Sequence, residues 1–250
     1  MSYVHHTLLF ALLLGAAMLH RPSHADELPR PLPGKTIKVF LLAGQSNMEG
    51  RADGTKLSEA DRARLRTAQE RVWLAFNGQP VRPLYAYTPS EELQEIYERP
   101  RMFGPELFLG MALAEAWPDE QILFIKRAEG DTSLHGRWNP DWSREKATPM
   151  GEADAPPLYD EFMAYTRQVL GAYAPDDYTL EAMYWVQGEN DSKVPEAAEA
   201  YGATLQTLIE RVRADTGQKD LPFLFFQVGS AEVVEGMTQA AAIVPHVTMI

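Results

Sequence analysis

Short apolar runs alternate with helical patterns along this chain, and that alternation restricts its fold more than any other feature. The first run is Ile37-Lys38-Val39-Phe40-Leu41-Leu42-Ala43, and it ends in Gly44. Runs of this kind follow at 72–76, 122–125, 182–186, 222–228 and 247–250. Runs this short and this apolar suit strands buried on both faces, as in a parallel sheet. Helical spacing occupies 105–117, 159–173 and 196–214, the first opening with Pro105 in its first turn. The alternation predicts an α/β fold, a mostly parallel sheet covered by helices on both faces. In such sheets the functional site lies at the carboxyl ends of the strands. Residues 77–101 and 131–157 read as long loops, which in a compact domain are often functional.

At 250 residues the chain suits one medium domain. Its 35 acidic residues outnumber 23 basic ones, for a net charge of −12. That balance argues against nucleic acid as a partner, since phosphate binding needs a basic face. There is no cysteine, which removes disulfides, thiolate metal sites and Cys nucleophiles together.

The amino terminus reads as a leader. Residues 8–19 form an apolar run of signal-peptide length, too short to span a bilayer comfortably. Ser23 and Ala25 fit a small-x-small cleavage site, so residues 1–25 are expected to be a signal peptide cut after Ala25. The alternative is an uncleaved amino-terminal anchor. Residues 26–35 form a Pro-rich linker and 36–250 the domain. The expected location is secreted or periplasmic, with no membrane association once the leader is removed.

Three segments carry chemistry. Gly44-Gln45-Ser46-Asn47-Met48 follows the first strand, where a Ser hydroxyl can project into a cleft. The plain alternative is a turn or helix cap. Met48 stands where the Gly-x-Ser-x-Gly elbow needs glycine, which argues against an α/β-hydrolase lipase. Tyr184-Trp185-Val186-Gln187-Gly188-Glu189-Asn190-Asp191 collects polar groups at a later strand end, where Gln187 can donate to an oxyanion. Glu189 could orient a partner or stay solvated. Phe103-Gly104-Pro105-Glu106-Leu107 opens a helix, and the Gly104 amide could face an anion or simply start that helix.

Together with Lys126 and Gly130-Asp131-Thr132-Ser133-Leu134, these segments resemble the SGNH-superfamily carbohydrate esterases grouped with sialate O-acetylesterase and acetylxylan esterases, similar to carbohydrate esterase family 6. The resemblance runs from about Lys38 to the end of the chain. It implies a three-layer flavodoxin-like SGNH hydrolase fold and hydrolysis of acetyl esters on sugars, with an acetylated carbohydrate as substrate and no metal or other cofactor. It matches Ser46 to the nucleophile. The Ser46 amide, Gly104 and Gln187 match the oxyanion hole, with Asn47 and Glu189 in support. Asp131 stands where the family has a second glycine, and a non-glycine residue resists positive φ.

A Ser hydroxyl needs an adjacent base. The family supplies it as a His in an Asp-x-x-His block after the last strand, and this sequence contains no Asp-x-x-His. Four of six histidines lie in the leader, leaving His135 and His246. His246 enters the final strand and reads as a loop or packing residue. His135 follows the Gly130 loop and is the candidate substitute base. Either the carboxyl end is truncated relative to a longer enzyme, or the protein is a non-hydrolytic relative. In the second case it would be an exported carbohydrate-binding protein, with Trp138, Trp142 and Tyr159 as sugar platforms.

Overall fold

A computed structural model describes residues 28–250. The expected signal peptide, its cleavage point after Ala25 and the first two linker residues lie outside the described residues.

The strands are β1 (Ile37–Gly44), β2 (Ala52–Asp53), β3 (Val72–Phe76), β4 (Arg82–Pro83), β5 (Met102–Phe103), β6 (Gln121–Ala128), β7 (Tyr178–Val186), β8 (Phe223–Phe225) and β9 (Val247–Met249). The α-helices are α1 (Ser46–Glu49), α2 (Glu59–Ala68), α3 (Glu91–Tyr97), α4 (Pro105–Ala116), α5 (Arg144–Ala147), α6 (Leu158–Leu170), α7 (Pro195–Thr216) and α8 (Ala231–Ile243). Seven strands form one sheet in the order β4-β3-β6-β1-β7-β8-β9. Every pairing in it is parallel except β3 with β4. β2 and β5 make a small separate antiparallel pair.

The alternation expected of a doubly covered strand is present along β1. Ile37, Val39, Leu41 and Ala43 face one core, and Phe40 and Leu42 face the other. The first core is closed by α6, α7 and α8 through Phe162, Leu205, Leu208 and Met237. The second is closed by α2 and α4 through Ala68, Leu107 and Met111. The result is the three-layer α/β sandwich expected from the sequence.

The expected strands at 72–76 and 247–250 and the three expected helices fall where the sequence put them, within a few residues at each end. The run at 222–228 is strand only over Phe223–Phe225. Two longer helices were not read from the pattern, α2 and α8, nor was the short α1; the 77–101 segment holds α3 and β4, and the 131–157 segment holds α5, rather than loop alone. Ser58 and Ser90 cap α2 and α3 by accepting from Asp61 and Leu93 N–H. α8 crosses α7 at a point where Gly202 and Gly236 meet backbone to backbone. A Cβ on Gly236 would stand 2.7 Å from the Gly202 nitrogen.

β1 sits between β6 and β7, so the chain passes from one side of β1 to the other between β6 and β7. Such a switch leaves a crevice outside the carboxyl ends of these strands. The residues that follow them are 45–50, 129–135 and 187–191.

Candidate active site

β1 ends at Gly44, whose φ of 149° and contact with β7 admit no side chain, since a Cβ would meet the Val186 oxygen at 2.1 Å. This close approach delivers Gln45 to the space between β1 and β7, with its N–H donating to Val186 O at 3.0 Å. Ser46 follows as the first residue of α1 and is half-buried. Its N–H lies in the first turn, where a helix offers no acceptor of its own. Gly130 lies against it, with room for a Cβ only 3.6 Å from the Ser46 Cβ.

Three segments are joined by hydrogen bonds around this point. Gln187 donates to Thr132 O at 3.0 Å and to Asp191. Asn190 donates to Asp131 O at 3.1 Å. Asp191 accepts from Leu134 and His135 N–H at 2.9 and 2.8 Å. Glu49, at the end of α1, accepts from Gly130 N–H at 3.0 Å and from Arg51 at 2.7 Å. Asn47 pairs with Glu189, whose second oxygen has no partner. Beneath α1, the Lys126 ammonium is fully buried. It donates to Glu49 O at 3.0 Å and to Glu106, 4.6 Å from the centre of the Phe76 ring.

All of the candidate segments thus meet at one edge of the sheet, but two of the expected oxyanion donors are engaged elsewhere. The Gly104 N–H donates to Glu106 Oε1 at 3.0 Å, because α4 turns its second residue back onto its own amino end. Gln187 is fully buried, and its amide is spent on Thr132, Asp191 and Gln45. Gly104 is nonetheless required to be glycine: a Cβ would meet Met48 O at 2.5 Å and the Lys126 nitrogen at 3.0 Å. Asp131 does adopt positive φ, at 56°, so the loop keeps the left-handed residue the family's glycine would supply.

Comparison with known proteins adds the family. The model of a family described as "Carbohydrate esterase, sialic acid-specific acetylesterase" matches residues 36–250. The chain belongs to this family. Solved structures share its fold at low identity. A protein from Arabidopsis thaliana superposes with a TM-score of 0.60 at 18% identity, over 86% of this chain and 85% of that one. A carbohydrate acetylesterase from Xanthomonas citri gives 0.55 at 17%, over 84% of this chain and 49% of that one. NanS gives 0.58 at 17%, over 89% and 79%. No curated protein matches the chain. Membership in this esterase family supports carbohydrate acetylesterase activity in general.

The two histidines among the described residues are His135 and His246. No hydrogen bond joins Ser46 to His135 or His246. The His135 ring is mostly buried with Nδ1 unpartnered, and burial pulls its pKa down. The charges that reach the ring are those of Glu196 and Lys146. His246 stands at the amino end of β9, the opposite edge of the sheet from Ser46, 3.8 Å from Asp220. Of the three expected sugar platforms, Trp142 is half-buried with its ring nitrogen unpartnered, and the other two are core residues. Trp138 is fully buried against Phe162 and Trp185, and Tyr159 is buried with its hydroxyl on Asp215 at 2.6 Å.

Sequence reasoning passed over Glu49 and Glu152, took Gln45 only as a motif position, and read Glu106 only as a charge suited to its helix start. Glu152 is buried at 6% exposure and accepts from Ser133 N–H, Ser133 Oγ and Arg137 N–H at 2.7–2.8 Å. Nothing in its local pattern marks it, since its partners lie fifteen to nineteen residues away. Asp191 was read only as part of a polar cluster, yet it is the hub of the 187–191 and 130–135 junction.

Asp191 gives a pH prediction. Burial pushes its pKa up to about 6 despite three donors to the carboxylate. The unfolded value is about 3.9, so the folded state holds a proton that the unfolded state loses between these values. Its contribution is fully present below about pH 4 and falls as pH rises through 6. The shift corresponds to about 3 kcal/mol. Between pH 4 and 7 the wild type should lose about that much stability relative to Asp191→Asn, read by urea unfolding at each pH. Parallel pH profiles for the two proteins would contradict it.

Proposed function

We propose that this protein is an exported serine esterase that removes O-acetyl groups from a carbohydrate, such as sialic acid, xylan or a related glycan, through an acetyl-enzyme on Ser46. The observation that carries this reading is the position of Ser46. It sits at the carboxyl end of β1, beside the strand-order switch, at the amino end of α1. Export is supported by the apolar run at 8–19 and the small residues at 23 and 25.

In this reading the Ser46 oxygen attacks the acetyl carbonyl as a base removes its proton. The developing oxyanion is met by the Ser46 N–H, which has no helical acceptor. Gly104 joins it only by exchanging its bond to Glu106 for one to the oxyanion. The tetrahedral centre collapses, the C–O bond to the sugar breaks, and the base returns its proton to the departing hydroxyl. Water, deprotonated by the same base, then attacks the acetyl-enzyme and releases acetate. Asn47 and Glu189 stand beside the nucleophile as a hydrogen-bonded pair. The family's base is the His of a block after the last strand. β9 runs parallel to the rest of the sheet, so any chain continuing from it emerges on the Ser46 edge.

The test is release of acetate from O-acetylated sialic acid and O-acetylated xylan by the full-length protein. Release from either supports the reading, and no release from any acetylated carbohydrate would defeat it. The binding-protein alternative keeps only one of its three aromatic platforms, the half-buried Trp142, because Trp138 and Tyr159 are core residues.

A further inference from the structure

We infer that a groove along the β4 edge of the sheet binds a carboxylate-bearing stretch of an anionic oligosaccharide, extending the substrate site away from Ser46. Two cavities make this groove. One, of about 990 Å3, is lined by Arg30, Arg66, Arg82 and Arg101 together with Trp73 and Tyr85. The other, of about 440 Å3, reaches Glu49 and Tyr87, and shares Arg82, Tyr85 and Arg101 with the first. Glu49 is three residues past Ser46, and the Tyr87 hydroxyl donates to the Gly50 oxygen at 2.6 Å. The groove therefore runs from the Ser46 end of the sheet down past the paired residues Leu74 and Arg82.

Its charge is out of keeping with the rest of the molecule. The chain carries −12 overall. Several arginines elsewhere find carboxylates, as Arg64 does with Glu115 at 2.6 Å and Arg127 with Glu161 at 2.7 Å. The four groove arginines make no ion pair among the described residues. Arg101 binds the Thr88 hydroxyl, and the Arg82 guanidinium lies 6.0 Å from the centre of the Tyr85 ring. The acidic residue of the larger cavity, Glu70, approaches Arg71. In the smaller one, Glu49 is committed to Arg51 and the Gly130 amide.

Four guanidinium groups along one groove repel one another and raise the local concentration of anions. Guanidinium forks fit carboxylates in pairs of hydrogen bonds, and Trp73 and Tyr85 offer flat faces to sugar rings. A nucleic acid fits less well, because its closely spaced phosphates would meet the acidic remainder of the surface. A glycan with a carboxylate on each sugar matches arginines spread along a groove. Which end holds the acetyl group rests on the Ser46 reading; binding in the groove does not.

The test is calorimetric titration of the full-length protein with unacetylated oligogalacturonate and with neutral xylo-oligosaccharide of equal length. Neither probe can be turned over, so the outcome is independent of acetate release. Oligogalacturonate is expected to bind at least about tenfold more tightly than the neutral oligomer. Arg66→Glu and Arg101→Glu, both at exposed positions, should each weaken it about tenfold, and binding should fall as salt is raised. Absence of oligogalacturonate binding, equal binding of the two oligomers, or unchanged affinity in both variants would overturn the inference. So would equally tight binding of a single-stranded DNA oligonucleotide.

Discussion

Ser46→Ala in the full-length protein is expected to lower kcat for acetate release by about a thousandfold to a millionfold, with KM little changed. The range follows from what removal of a nucleophile costs when the oxyanion site and substrate binding survive. Alanine removes the oxygen that forms the acetyl-enzyme and leaves the backbone of α1 intact. Its methyl group stays where the Ser46 Cβ already stands beside Gly130. Ser46 is half-buried and outside both core clusters, so the melting temperature should move little. The pairing of lost turnover with retained stability separates a chemical role from a structural one. Full activity in the variant would remove Ser46 from the reaction.

Lys126→Met should cause the largest loss of stability of any single change at the site, about 3–5 kcal/mol. Lys126 and Glu106 are both fully buried and paired with each other. Burial pulls the Lys126 pKa down, while Glu106 holds it up. Met preserves most of the volume but leaves the fully buried Glu106 carboxylate without its cation. The Gly104 N–H that Glu106 also accepts cannot compensate a full charge. For a chain of this size each kcal/mol is worth about 2–4 °C, so the melting temperature should fall by roughly 6–20 °C. Replacing both partners, as Lys126→Met with Glu106→Leu, should recover much of the loss, since no buried charge then remains. A melting temperature unchanged in the single variant would contradict the pairing. The effect reaches the site because Lys126 also holds the Glu49 oxygen at the end of the helix that Ser46 begins.

The sheet was legible because its strands are buried on both faces. A run such as 37–43 is apolar at nearly every position, which few other structures require. α8 was not legible for the opposite reason. It carries Val233, Val234 and Gly236 in its interior, residues that favour a helix weakly. What holds it is tertiary, the crossing of Gly236 on Gly202 and the burial of Met237 and Ala240. The 222–228 run looked like a longer strand. It is regular strand only over Phe223–Phe225, although Phe226 still donates to the Trp185 oxygen and Gln227 to the Ile250 oxygen.

At the site, the motifs placed Ser46, Asn47, Gly104, Gln187 and Glu189 on one edge, because each follows a strand or opens a helix there. The hydrogen bonds between them were beyond the sequence. Glu106 reads as a charge favouring its helix dipole, yet it folds back onto Gly104 and Lys126. Gln187 reads as a donor at a strand end, yet its burial beneath Thr132 commits it to the protein. For Gln187 and Asp191 the choice depends on which backbone lies opposite, and that backbone comes from residues more than fifty positions away.

The central claim is a covalent intermediate on Ser46, and trapping it is the most direct test. The full-length protein would be mixed with p-nitrophenyl acetate, quenched in acid and digested, and the peptides weighed by mass spectrometry. An added acetyl group on the peptide containing Ser46, absent in Ser46→Ala, is the predicted result. Turnover of the ester with no acetyl on Ser46, or with acetyl only on another residue, would contradict it.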